Sequence, residues 1–543
     1  MTIFRSKIST GADGFKKNRE DMLALIDKLR GLEERAEKFS AKRKPRFEQR
    51  GQLLPRDRLK HLLDPGMPFL ELFNMASYLV DDTNPDTSLP GASSISGIGF
   101  VSGIRCAIMV SDSGINAGAS TVMSADKAIK VLDFALKHKL PLIHLVESAG
   151  ANLMAYQVEQ WAVGGGLFNR LGRLSAAGIP TFVVLHGPST AGGAYLPGMS
   201  DYVIGVKKNG MAALAGAALV QAATGEIANP DELGGVEMHA TISGLVEYVA
   251  EDDAHGLQIC RDLVARLDWN KNCETLPSPD VETPLYDIAE LAGIVPVDYR
   301  KPYDAREVIA RLVDGSDFLE FKSGFGVTTV CVQAKIMGHA VGVIGNNGPF
   351  DPDSAAKATQ FFQLCDQQDL PIVFLHNITG YMVGTEYEQK GMIKHGSKMI
   401  QAVSNIRVPK LSLYIGASFG AGNYGMCGYG YDADFLFAWP NAKTGVMGGE
   451  QAATTMDVVG RAIAKRKGIE MNDQMEQMFQ MKKQEILDVF KPQSDAFYTS
   501  GRLLDNGIID PRDSRKVLGF ALETCWESRR RKLHPNSFGV ARI

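Results

Sequence analysis

Cysteine is scarce and never paired along the chain. The seven cysteines, Cys106, Cys260, Cys273, Cys331, Cys365, Cys427 and Cys525, form no CxxC pair. An odd, scattered set argues against a disulfide framework and against a zinc ribbon. The ten histidines include no pair at i,i+3 or i,i+4, so no helical metal site is expected and no metal is assigned. Long apolar runs are missing too. The longest run of small apolar residues, Met211–Ala223, contains Gln221 and is too short to span a bilayer. The opening residues MTIFRSKISTGADGFKKNRED have no apolar stretch of the kind a signal peptide needs. There is no excess of one charge: the formal net charge is -4 over 543 residues, which gives nucleic acid no electrostatic footing. No GxxxxGK[ST] phosphate loop occurs. A soluble cytoplasmic protein with no membrane or nucleic-acid partner is the expectation.

What the chain does have is length, ordinary globular composition and glycine. Apolar residues make up 45% and charged residues 22%, and 543 residues exceed a single core. Glycine, at 56 residues, is frequent enough to suggest sites where the backbone itself approaches a ligand. The first 63 residues are charge-rich, with Leu, Met and Ile at helical spacing, which predicts amphipathic helices lying outside the main cores. After them a pattern appears twice. Phe69-Leu70-Glu71-Leu72 matches Phe318-Leu319-Glu320-Phe321 at an offset of 249. The segment around Lys127 matches that around Lys357, and Leu140-Pro141-Leu142-Ile143 matches Leu370-Pro371-Ile372-Val373, both at 230. Gly178-Ile179-Pro180 followed by Gly187-Pro188-Ser189 matches Arg407-Val408-Pro409 followed by Gly416-Ala417-Ser418 at 229. Such regularity predicts two homologous domains, the first with an insertion of about 19 residues near Asn74–Ser93. The expected organisation is a helical segment 1–63, a first domain 64–275, a linker 276–299 around Pro277-Ser278-Pro279-Asp280, and a second domain 300–543.

Within each copy, Val- and Ile-rich runs alternate with helical stretches. Leu142–Val146, Thr181–Leu185, Ile372–Leu375 and Leu411–Ile415 each end in a Gly, Ser or Asn turn, which reads as an α/β fold with buried strands. Two of these strands lead into glycine-rich turns: His186-Gly187-Pro188-Ser189-Thr190-Ala191-Gly192-Gly193-Ala194-Tyr195, and Gly416-Ala417-Ser418-Phe419-Gly420-Ala421-Gly422-Asn423-Tyr424-Gly425. Small residues at a helix start let a polarised oxygen approach free N–H groups. One reading is a pair of oxyanion holes, each donor worth about 3–4 kcal/mol in a dry site. The other is close helix–strand packing alone.

At this point the motifs resemble a known family. Gly187 to Pro197, Ala222-Ala223-Thr224-Gly225-Glu226 and Asp231-Glu232-Leu233-Gly234-Gly235 are similar to the carboxyltransferase subunits of biotin-dependent acyl-CoA carboxylases. Asn377 to Gly384, Gly416 to Gly428 and Met447 to Ala453 resemble the methylcrotonyl-CoA and geranyl-CoA branch. The resemblance implies two crotonase-like ββα spirals in tandem, the N-terminal one binding acyl-CoA and the C-terminal one biotin. It implies an active site shared between subunits of a hexamer, and transfer of CO2 from carboxybiotin to an acyl-CoA. The N–H groups of Gly192 and Gly193 would hold the thioester oxygen, and those of Ala421 and Gly422 the ureido oxygen of biotin. Substrate-lining positions would be Ala191, Ala194, Gly216 and Gly164-Gly165-Gly166 in the first domain, and Phe419, Gly420, Asn423, Gly448 and Gly449 in the second. Since no Ala-Met-Lys-Met biotinylation motif occurs, a partner subunit with biotin carboxylase and biotin carrier functions is implied.

Three departures bear on the substrate. The loop after Glu147-Ser148-Ala149-Gly150-Ala151-Asn152-Leu153 is about two residues short and leads to Gly164-Gly165-Gly166, which would open the acyl pocket to a chain larger than methylcrotonyl, or simply give a flexible entry to a helix. Gly216-Ala217-Ala218-Leu219-Val220-Gln221 lacks the usual Gly-Pro-Pro and Lys, and Ser77–Pro90 is not the usual segment. A subunit of a biotin-dependent decarboxylase and an inactive structural paralogue stay open as alternatives. A serine hydrolase built on Gly416-Ala417-Ser418-Phe419-Gly420 lacks a following Asp–His pair, His534 being the only later histidine. A hydratase would need placed carboxylates, and Glu147 is the only acid near a strand end in the first copy. The basic run Arg529-Arg530-Arg531-Lys532 reads as a solvated helix end, or as a contact for a partner or the CoA phosphates.

Overall fold

A computed structural model describes residues 3–150, 158–274, 280–469 and 471–541. The proline pair of the expected linker (277–279) and the shortened loop at 151–157 lie outside the described residues. The chain divides into two compact units. One comprises Arg30–Leu276, Gly501–Leu503 and Thr524–Ile543; the other comprises Met1–Leu29, Pro277–Ser500 and Leu504–Glu523.

The first unit is built on strands β1 (Leu70–Glu71), β2 (Ser94–Val101), β3 (Ile104–Ser111), β4 (Leu142–Ser148), β5 (Thr181–Thr190), β6 (Tyr202–Val206), β7 (Met211–Ala213) and β8 (Tyr248–Ala250). Their order is β1-β2-β3-β4-β5-β6-β8, with β7 beside β5. The second unit has β9 (Phe318–Glu320), β10 (Thr329–Ile336), β11 (His339–Asn346), β12 (Ile372–Ile378), β13 (Lys410–Phe419), β14 (Phe435–Ala438) and β15 (Lys443–Gly445). Its order is β14-β13-β12-β11-β10-β9, with β15 beside β13. Each unit opens with an antiparallel hairpin, β2–β3 or β10–β11, and continues with parallel strands separated by helices. The four runs read as buried strands are the parallel strands β4, β5, β12 and β13. Their near-continuous apolar sequence follows from burial on both faces.

The duplication is visible residue by residue. Leu70 pairs with Ile98 and Leu319 with Gln333. The helices Val122–Lys137 and Pro352–Gln367 are each 16 residues long, and their N-caps Thr121 and Asp351 each accept from the backbone N–H three residues on. The insertion, however, is not a single block. The β1–β2 connection has 22 residues (72–93) against 8 for β9–β10 (321–328), and the remaining difference lies after the hairpin, where 10 residues (112–121) stand against 5 (347–351). The landmark lysines prove to be matched clamps. Lys127 Nζ donates to Gly91 O and Ser94 O at 3.0 and 2.8 Å, and Lys357 Nζ donates to Gly326 O and Thr329 O at 3.5 and 2.7 Å. Both are buried, and burial pushes the Lys127 ammonium down to about 8. Each fixes the loop that feeds its unit's hairpin.

One expectation for the N-terminal segment fails. It is helical, with helices Asp13–Ala41, Lys44–Gln49 and Pro55–Leu62, but the last of these is not outside the core. Leu59 and Leu62 belong to the apolar cluster with Ile143, Phe182 and Ile204, because the helix lays a face of Arg58, Leu59 and Leu62 on the sheet. Nor is the basic run at 529–532 wholly solvated. Arg531 is buried, donates to Trp269 O and covers the Trp269 ring at 5.0 Å.

Candidate active site

The two glycine-rich turns differ from expectation in one respect: the strand does not end where the glycines begin. β5 runs on through His186-Gly187-Pro188-Ser189 to Thr190, and β13 through Gly416-Ala417-Ser418 to Phe419. The short strands β7 and β15 pair with these extensions and hold them straight. Each extension also bulges against its neighbour. The register shifts between Val146 and Ser148 on β4, opposite Leu185 and Ser189, and between His376 and Ile378 on β12, opposite Tyr414 and Ser418. A bulge re-aims the strand end, and here it turns the chain into a helical start at Ala191–Ala194 and at Gly420–Gly425.

Both starts contain a left-handed residue at the same place. Ala191 and Gly420 each have φ of 55°. For alanine this conformation costs roughly 1–2 kcal/mol, strain of the kind that the surrounding structure must enforce. The next N–H groups, those of Gly192 and Gly193 and of Ala421 and Gly422, are the first donors of a helical start and have no acceptor within it. Gly192 and Ala421 are exposed on their own units. Ser189 Oγ locks the first turn by donating to Gly193 O at 2.8 Å. In the second, Ser418 Oγ accepts from Asn423 Nδ2 at 2.8 Å and lies 2.9 Å from His376 Nδ1.

The support under the two bulges is different in kind. Under the first lies a buried ionic ring. Arg58 Nη1 donates to Glu147 Oε2 at 2.8 Å, and Arg58 Nε to Asp253 Oδ2 at 2.8 Å. His186 Nδ1 sits 2.7 Å from Asp253 Oδ1. A Cβ on Gly187 would stand 2.4 Å from Glu147 Cγ, so glycine is required for the bulge to close over that side chain. Glu147, the acid at the strand end, is therefore a buried support of the bulge. Burial opposes charge on Asp253, but the His186 and Arg58 contacts and the Leu53 N–H outweigh it and leave its pKa at about 2. Burial and the Arg58 charge push His186 below its ordinary value. Under the second bulge the support is neutral: His376, Ser418, Asn423 and Tyr414, with Asn423 Nδ2 also donating to the Tyr414 hydroxyl at 3.0 Å. Burial takes His376 down to about 3.

The Asp253 value predicts an acid response. An unfolded aspartate titrates near 3.9, so the stability contributed by ionised Asp253 is complete above about pH 4 and lost as pH falls from there toward 2. Urea unfolding at pH 3 and pH 6 should show a smaller loss of midpoint for Asp253→Asn than for the unaltered chain.

The remaining expected positions fall as follows. Gly164 ends the helix Val158–Gly164, Gly165 precedes the helix Gly166–Ala176, and that helix carries Phe168, whose ring meets Tyr195 at 5.7 Å. Phe168 would lie 3.8 Å from a Cβ on Gly192, so this helix abuts the first turn. Nothing lies within 4 Å of a Cβ built on Gly164 or Gly216, and Gly216 stands at the start of the helix Ala217–Thr224. In the second unit Phe419 is a core ring packed on Tyr299 at 5.2 Å, and Asn423 turns its side chain inward as a brace. Gly448 and Gly449 begin the helix Gly449–Arg466, where the Tyr299 hydroxyl stands 2.4 Å from any Cβ on Gly448. Arg58, Asp253, Phe168 and Tyr299 carry no motif that marks them in the sequence, and His186, although it heads the first glycine-rich turn, had no role assigned to it.

With this geometry in hand, comparison with known proteins is specific. The family model described as carboxyl transferase domain matches residues 46–540. A probable biotin-dependent acyl-coenzyme A carboxylase beta2 subunit of Mycobacterium tuberculosis is 47% identical, covering 88% of each chain. The mitochondrial methylcrotonoyl-CoA carboxylase beta chain of Arabidopsis thaliana is 40% identical over 100% of this chain and 92% of its own. The crystal structure of the geranyl-CoA carboxylase beta subunit of P. aeruginosa matches with a TM-score of 0.92 and 46% identity, covering both chains completely.

Proposed function

The chain belongs to the carboxyl transferase family of biotin-dependent acyl-CoA carboxylases, and on that premise we propose which of its residues perform the transfer and on what substrate. The reaction moves CO2 from biotin carried by a partner to an acyl-CoA, and each unit is a crotonase-like α/β domain. The observation that carries the residue assignment is the matched pair of turns, each with a left-handed residue, Ala191 or Gly420, ahead of two small donors. The reaction develops negative charge at two oxygens, one on the thioester and one on the ureido ring, and preorganised N–H donors meet such charge without reorganising. Gly192 and Gly193 hold the thioester oxygen, and Ala421 and Gly422 the ureido oxygen.

The second turn suits a flat ureido ring. A Cβ on Gly422 would lie 2.6 Å from Ile378 Cγ1 and 3.1 Å from Gly380 Cα, so what backs the turn there is backbone and aliphatic carbon. Carboxylated biotin, when bound, supplies the CO2 and a nitrogen able to take the substrate proton. Gly192 and Gly193 bind and polarise the thioester, Phe168 and Tyr195 wall the turn, and Ser189 and Asn423 keep the two donor pairs in place.

The acyl chain is larger than methylcrotonyl. Gly164 has open space where a side chain would stand, whereas Gly166 is backed by Arg170 and Ile129, so the room for a longer chain is at Gly164. The chain works with a biotin carboxylase and biotin carrier alpha subunit, as a hexamer. Met456, Val458, Val459, Ile463, Met481 and Val489 leave apolar surface exposed on the helices Gly449–Arg466 and Asp473–Gln493, which calls for cover in an assembly. All seven cysteines are free, which suits a cytoplasmic setting. No helix among the described residues is long and apolar enough to cross a membrane.

The test is reconstitution with a biotinylated partner and ATP-dependent bicarbonate fixation on acyl-CoAs from acetyl through methylcrotonyl to geranyl and long saturated chains. Fixation favouring the longer chains is expected. Gly164→Phe should lower kcat/KM for the longest accepted chain by about tenfold or more, a size set by the 1–3 kcal/mol carried by a misfitted methylene, while leaving short chains within about twofold. Equal effects on all chain lengths would refute the pocket assignment.

A further inference from the structure

The duplication contains its own control for the ionic ring. Both units make the same bulge and put a left-handed residue, Ala191 or Gly420, at the same point, with a serine, Ser189 or Ser418, bonded within the turn, yet only the first unit does so on charges. Glu147 has Asn377 as its counterpart, and Asn377 Oδ1 would stand 2.6 Å from a Cβ on Gly416 just as Glu147 crowds Gly187. His186 is matched by Ile415. Arg58, fourth residue of the helix Pro55–Leu62, is matched by Val308, fourth of the helix Ala305–Leu312. All of these except Asn377 are fully or almost fully buried. The fold therefore has no need of a buried arginine, two carboxylates and a histidine to build such a turn, and an ionic ring replaceable by apolar groups gives little net stability.

What the ring does supply is stiffness and direction. Arg58 grips the two carboxylates from different sides of its planar fork, Asp253 passes the grip to His186, and the Gln52 side chain holds His186 O at 2.7 Å. Charge-assisted bonds of this kind are shorter and about twice as strong as neutral ones. The ring has one cation for two carboxylates, and its own field therefore opposes an oxyanion nearby, so any service to catalysis must come through geometry. We propose that the Arg58–Glu147–Asp253–His186 ring is a positioning device for the acyl-CoA half of the reaction, holding the β5 bulge so that the Gly192 and Gly193 N–H groups meet the oxygen as the thioester enolises. This rests on the assignment of the first turn to the thioester.

The experiment uses the reconstituted holoenzyme with three variants: Glu147→Gln; a neutral ring made by Arg58→Met, Glu147→Gln, His186→Leu and Asp253→Asn together; and Gly193→Val. Assembly and thermal midpoint are measured with kcat and KM for the acyl-CoA, and with the ATP-dependent formation and acyl-CoA-independent decay of carboxybiotin on the partner. The neutral ring should assemble with a midpoint near that of the unaltered chain. Its kcat should fall about 10- to 100-fold, the scale of an ångström-sized misplacement, with acyl-CoA KM within about threefold and carboxybiotin decay unchanged. Glu147→Gln should move the same way, and it decides the matter if the neutral ring does not fold. Turnover equal to or above that of the unaltered enzyme in folded Glu147→Gln or neutral-ring protein overturns the proposal. If Gly193→Val also keeps turnover, the thioester assignment has failed; if Gly193→Val loses it and the ring variants do not, only the ring proposal has failed.

Discussion

Gly422→Val should reduce acyl-CoA carboxylation by about 10²- to 10³-fold, the loss that follows removal of one oxyanion donor. The clash decides the size. Even the first added carbon would lie 2.6 Å from Ile378 Cγ1 and 3.1 Å from Gly380 Cα. Gly380 is backbone and cannot rotate away, and Ile378 is fully buried at the end of β12. The turn itself must therefore move, carrying the Ala421 and Gly422 N–H groups with it. Gly193 offers a contrast. Its nearest neighbour would be Ser189 Oγ at 3.0 Å, a hydroxyl that can swing at the expense of one hydrogen bond worth about 1 kcal/mol. Gly193→Ala is accordingly expected to lose only about tenfold, and Gly422→Ala clearly more. Steady-state fixation by the reconstituted holoenzyme measures both, and acyl-CoA-independent decay of carboxybiotin assigns the loss to a half-reaction, because it should slow in Gly422→Val and not in Gly193→Ala. Near-normal turnover in Gly422→Val would remove the second turn from the chemistry.

The contrast between these glycines marks what could be read from sequence and what could not. Strand runs such as Leu142–Val146 and Leu411–Ile415 announce themselves because burial on both faces leaves them apolar throughout, and the offsets of 230 and 229 announce the duplication. The turns are legible as glycine clusters and as family motifs. Their geometry is not, since nothing local tells that β5 and β13 continue through Gly187 and Gly416. That continuation depends on β7 and β15, strands of three residues whose pairing is non-local. The scaffolds were hidden for the same reason. Arg58, Glu147, His186 and Asp253 lie up to 195 positions apart, and no spacing rule joins them. The helix Pro55–Leu62 belongs to the charge-rich first 63 residues, whose composition predicts amphipathic helices outside the cores. In the structure Arg58 is on the buried side, bonded to Glu147 and Asp253, and His61 is exposed.

Arg311→Met should destabilise the second unit by about 3–5 kcal/mol, the usual consequence of stranding a buried carboxylate by removing its partner. Arg311 lies in the helix equivalent to that of Arg58 but three positions further on, where the first unit has the exposed His61. It donates to Glu307 Oε2 at 2.9 Å and Glu307 O at 2.8 Å, to Glu290 Oε2, and to Ser6 Oγ at 3.1 Å. Glu307 in turn accepts from Ser6 Oγ and from the Lys7 N–H at 2.6 and 2.7 Å. This second buried arginine thus fastens the N-terminal segment to its unit, while the first stands under a turn. With about 2–4 °C per kcal/mol for a cooperative unit of such size, the thermal midpoint should fall by roughly 10 °C, and residues 3–8 should become open to proteolysis before the rest unfolds. The double variant Arg311→Met with Glu307→Leu separates breaking a pair from replacing it. By exchanging the pair for apolar side chains of comparable volume, it should recover most of the lost midpoint, leaving the Ser6 hydroxyl and the Lys7 N–H without Glu307 while the Ser6 N–H keeps the Tyr286 hydroxyl. A double variant as unstable as the single one would mean that the link to Ser6 and Lys7, and not the stranded charge, is what Arg311 secures.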